Sequence, residues 1–144
     1  MIFSACDGIQ VVSSPFRQLL LADLCSRLPY GVKVLIPECR QDIATLIGAD
    51  DKCFAVKYGK NTFYCPFHIS IKPYLRPMSS MTKEEEKEYN DLYYDAPQFK
   101  DGWRDAKYLE GLHIDWLNKH HFDYRGLIEK GLAISTEENN PYKS

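Results

Sequence analysis

The chain has 144 residues, 44% of them hydrophobic and 26% charged, which suits one sizeable buried core and excludes wholesale disorder. A net charge of −2 disfavours nucleic acid as a partner, since that role usually needs a strongly basic surface. No run nears the roughly 20 apolar residues that span a bilayer, and the opening MIFSACDGIQVV lacks the basic start of a signal peptide. The five cysteines (Cys6, Cys25, Cys39, Cys53, Cys65) read as reduced thiols, so the expectation is one cytoplasmic domain over 1–144 with no membrane association.

Residues 1–12 fit an edge strand or an ordered tail. Ser14 as N-cap and Pro15 at the first helical position open a helix. Its apolar face is Phe16, Leu20, Leu24 and Leu28, and Pro29 with Gly31 ends it. Val32, Val34 and Ile36 then alternate with a period of two, which predicts a strand. Ile43–Ile47, Cys53–Tyr58 and Thr62–Cys65 predict three more, the last resuming through His68 to Ile71. Short turns between them, such as Gly59-Lys60-Asn61, favour antiparallel pairing.

From Lys72 the chain becomes a proline-punctuated arm, KPYLRPMSSMT. Thr82 and Glu85 form a capping box for a helix that runs to about Tyr94. A loop through Gly102 leads to another helix near Arg104–Lys119, with Tyr108, Leu109, Leu112 and Trp116 on one face. A turn or short helix follows at Tyr124–Lys130, and 135–144 reads as a frayed polar tail. The predicted fold class is α+β: an antiparallel sheet of about four strands over 32–71, one N-terminal helix, and two or three C-terminal helices.

Residue patterns for chemistry are sparse. No CxxC or HExxH spacing marks a zinc site, and neither GxxxxGK[ST] nor GxGxxG marks a phosphate loop. The sequence therefore nominates no catalytic residue, metal ligand or cofactor. His113 borders a packed helix face, while His120 and His121 read as partial cations at a helix C-terminus. Cys53 and Cys65 flank a hairpin, where they serve as core fillers or face each other as a redox pair. The acidic run from 84 to 115 reads as a solvated helix face.

Charge is nevertheless unevenly divided. Residues 1–82 hold nine Lys/Arg against six Asp/Glu, and residues 83–144 hold nine against fourteen. The acidic second half is also rich in rings, with Tyr93, Tyr94, Phe99, Trp103, Phe122 and Tyr124 among polar neighbours. Tyr and Trp either seal a core or anchor an interface.

Three stretches, DLCSRLPYGVKV (23–34), IKPYLRPMSSMTKEEEKEY (71–89) and HHFDYRGLIEKGLAI (120–134), resemble a group of small uncharacterised proteins of gut Bacteroidales, their phages and mobile elements. The group has no established activity, so the resemblance transfers no site residue. It implies a cytosolic accessory protein encoded by a phage or mobile element.

These readings predict a non-enzymatic interaction module whose partner is another protein, with the arm and the DYRGL turn forming one face. Its candidate binding residues are Tyr74, Arg76, Trp103, Tyr124 and Arg125. The alternative is a small anionic-ligand (nucleotide) pocket that uses Arg76 or Arg125.

Overall fold

A computed structural model describes residues 15–37, 40–50, 52–66 and 70–143. The expectations for residues 1–12, for Ser14 as a cap, and for a strand through His68 lie outside the described residues.

Helix α1 (Pro15–Ser26) buries Leu20 and Leu24, two members of the apolar stripe read from its spacing, whereas Phe16 is exposed. Strand β1 (Lys33–Ile36) buries Val34 and Ile36 on alternate positions. Antiparallel β2 (Arg40–Ala49) and β3 (Cys53–Tyr58) follow, burying Ala44, Leu46, Phe54, Val56 and Tyr58 on the same sheet face. The two residues between β3 and β4 (Asn61–Pro66) start with Gly59 at φ 58°, a left-handed turn conformation that glycine adopts without strain. Cys53 stands opposite Pro66 and Cys65 opposite Phe54, so the two thiols are not cross-strand partners.

The fold is α+β, with six strands in the order β4-β3-β2-β1-β5-β6 instead of about four. The arm supplies β5 (Lys72–Leu75), antiparallel to β1, and β6 (Ile134–Ser135) runs parallel to β5. A parallel neighbour needs a long crossover. Here that connection carries α2 (Lys83–Asp91) and α3 (Ala106–Lys119), so the sheet is mixed.

Thr82 and Glu85 cap α2 as a complete capping box, and a 3₁₀ turn over Leu92–Asp95 continues it. Asp105 caps α3 by accepting from the amides of Lys107 and Tyr108. The principal core lies between α1 and the sheet, and Leu127 and Ala133 close it. A second cluster, Trp116, Leu117 and Phe122 with Tyr89, Leu92 and Met81, holds α2 against α3. No helix among the described residues is long and apolar enough to cross a membrane.

Candidate functional site

The first and third motif stretches build one buried ionic knot, and the second meets it through its backbone. Asp23 and Arg27 sit one turn apart on and just after α1, which brings their side chains together. Both are fully buried, and Arg27 Nε and Nη2 donate to the Asp23 carboxylate at 2.8 and 3.0 Å. Arg27 Nη2 also donates to the Phe122 carbonyl at 2.7 Å, and Arg125 Nη1 donates to Asp23 Oδ1 at 3.0 Å. Asp123 accepts from the amides of Leu127 and Ile128, which fixes the DYRGL turn, and Gly126 adopts φ 74° there. Tyr124 donates its hydroxyl to Asn118 Oδ1.

The arm joins this turn through its backbone. The Arg76 amide donates to the His121 carbonyl at 2.7 Å, and the Asp123 amide donates to the Arg76 carbonyl at 2.8 Å. The Arg76 guanidinium lies 4.1 Å from the Phe122 ring centroid and forms a two-point pair with Glu85, 2.7 Å to each oxygen. Those Arg76 hydrogen bonds are the main reason the Glu85 carboxyl titrates at about 2.

Arm and DYRGL turn therefore meet as read from sequence, but they do so mostly by sealing one another. Tyr74 is 4% exposed, so it belongs to the interior and not to a surface. Arg76 and Arg125 point to different carboxylates and form no joint anion site. Tyr124 is half-buried. Trp103, at 73% exposed, is the member of the proposed set that faces solvent fully.

The tail expected to fray is docked. The register that pairs Val34 with Pro73 and Leu35 with Lys72 would next place Lys33 opposite Tyr74. At that position the Tyr142 hydroxyl intervenes, accepting from the Lys33 amide and donating to the Tyr74 carbonyl, each at 2.8 Å. Burial pushes this phenol's pKa up. Its ring stacks on His121 at 3.8 Å between centroids. His121 has φ 64°, an uncommon conformation for a residue with a side chain. Burial, aided by the neighbouring Arg27 charge, lowers its pKa to about 4, so His121 is neutral near pH 7 and not the partial cation expected at the end of α3. A lone tyrosine in a polar tail and a His-His pair after a helix carried no sequence pattern that would have announced this contact.

A different surface gathers the exposed rings. Tyr94, Phe99, Trp103 and Tyr108 are each more than half exposed, and Tyr93 is 42% exposed. They lie on or beside the loop joining α2 to α3, and that loop is pinned. Phe99 and Trp103 are tied by an amide-to-carbonyl bond of 2.7 Å, the Asp105 amide donates to the Pro97 carbonyl, and Arg104 Nη1 donates to the Ala96 carbonyl at 2.9 Å. The Arg104 guanidinium also sits 5.5 Å from the Tyr93 ring and 5.8 Å from the Tyr94 ring. The sequence singled out Trp103 but not the rigid loop that presents its neighbours.

No group of three or more His, Cys, Asp or Glu side chains among the described residues is placed to hold a metal ion. Comparisons with family models, curated proteins and solved structures find no match to this chain.

Proposed function

We propose that the protein is a non-enzymatic interaction module that docks another protein on the aromatic loop between α2 and α3. One observation carries this reading: five large rings stand exposed on or beside a loop already held by its own hydrogen bonds. Rings of this kind supply large contact area, and a pre-ordered loop loses little entropy on binding. Between Asp91 and Glu110 five Asp/Glu stand against three Lys/Arg, a small acidic excess that favours a partner with a basic rim. The resemblance to phage and mobile-element proteins adds the setting of an accessory factor acting on a host protein.

The test compares wild type with Trp103→Ala and Tyr94→Ala as bait against host lysate. Both variants should keep the wild-type circular dichroism and lose the same specifically captured protein. Undiminished capture by both would remove the loop from consideration. Arg76→Ala and Tyr124→Ala serve as the comparison, because the face read from sequence, which also holds Trp103, predicts that they abolish capture and that Tyr94→Ala does not.

A further inference from the structure

A groove of about 540 Å³ opens between the end of α3, the start of α2 and the docked tail. That volume lies within the range of small-molecule sites. We propose that this groove binds a small phosphorylated anion, held between Lys119 of α3 and Lys143 of the tail.

Charge selects the ligand class. Arg76 lines the groove, but its charge is neutralised by the two-point pair with Glu85. Lys119 and Lys143 are exposed, and neither makes an ion pair among the described residues. Glu137 supplies one carboxylate to the wall, leaving the groove net positive within the acidic half of the chain. On the other flank of α2, a groove of about 380 Å³ is lined by Glu84, Glu88, Asp91 and Asp95 with Lys87, and an anion is repelled there.

The polar groups suit the same class. The Thr82 hydroxyl accepts from the Glu85 amide and keeps its own proton to donate outward. His120 lies between the walls, its ring 4.2 Å from that of Trp116 and its nitrogens 3.8 Å from Glu85 and 3.6 Å from Glu88. Burial lowers the His120 pKa despite those carboxylates, so a bound dianion would raise it again. The capping box occupies the Thr82 and Glu85 amides at the start of α2, and the lysines and side-chain donors carry the recognition. The far wall exists because Tyr142 anchors the tail between β1 and β5.

The experiment follows the histidine ring and backbone resonances of the full chain during titration with inorganic phosphate, pyrophosphate or ATP at constant ionic strength. Saturable shifts at His120 and Lys143 are expected. Lys119→Gln and Lys143→Gln should each weaken affinity about fivefold, the effect of losing one partly solvated charge contact. The double variant should not saturate, and Trp103→Ala should bind like wild type. Binding of pyrophosphate and ATP alike supports recognition of the phosphate groups, and preference for ATP supports a nucleotide. Shifts that fail to saturate with any of the three, or a double variant that binds as wild type does, would overturn the proposal and leave the aromatic loop's role untouched.

Discussion

Two regions of this molecule use aromatic side chains in opposite ways. Where the arm, the DYRGL turn and the tail meet, Phe122 and Tyr74 are buried and Tyr142 is half-buried, each fastened by a backbone bridge, a hydrogen bond or a stacked neighbour. Along the α2–α3 loop, Tyr94, Phe99 and Trp103 face water although the backbone beneath them is equally well bonded. The difference lies in position, since the first group sits around β5 and the second on a loop that the described residues leave uncovered. Ring count alone does not nominate a binding surface; the proposed one rests on rings that stay exposed on a hydrogen-bonded frame.

The enclosed region should respond most strongly to mutation. Asp23→Ala leaves the buried Arg27 without its carboxylate, and a loss of about 3–5 kcal/mol is expected by chemical denaturation. Arg125→Ala, which removes the partly exposed partner, should cost only about 1 kcal/mol. Similar losses for both would mean that the knot is not organised around Asp23 and Arg27.

Tyr142→Phe keeps the ring but removes the hydroxyl between the Lys33 amide and the Tyr74 carbonyl. A cost of about 1–3 kcal/mol is expected. Hydrogen exchange should accelerate at the Lys33 amide and stay unchanged in β3. Unaltered Lys33 exchange would place the tail outside the sheet.

Acid sharpens the same contrast. His121 titrates at about 4 when folded and near 6.5 when unfolded, so the unfolded chain takes up the proton first. Its contribution is complete above pH 6.5 and fades as the pH falls toward 4. Glu85 follows in a lower window, its stabilisation present above about 4.5 and lost toward 2. Each amounts to about 1–2 kcal/mol after allowance for partial solvation. His121→Asn, which tolerates the left-handed backbone, should remove most of the upper window, leaving the smaller part due to His120, and leave the lower one intact. In the exposed region, Trp103→Ala should change stability by no more than about 0.5 kcal/mol.

The sequence was most informative where a local rule operates. Alternation located β1 and β3, Thr82 and Glu85 announced α2, and proline with glycine marked the end of α1. It was silent where distant segments meet. Ile134–Ser135 is too short to register as a strand, and its parallel pairing depends on a crossover of two helices. Asp23 and Arg27 are ordinary surface residues by type, and only the later placement of Phe122 and Arg125 around them produces a buried network. Trp103 was legible as unusual, but its company of exposed rings depends on how Arg104 and Asp105 fold the loop.

Fluorotryptophan labelling tests the central claim without any mutation, because Trp116 is buried and Trp103 is exposed in the same chain. On addition of the captured partner, the Trp103 fluorine resonance should shift and lose its sensitivity to solvent isotope, while that of Trp116 stays in place. Stoichiometric binding with the Trp103 signal unmoved would contradict the assignment of the α2–α3 loop as the docking surface.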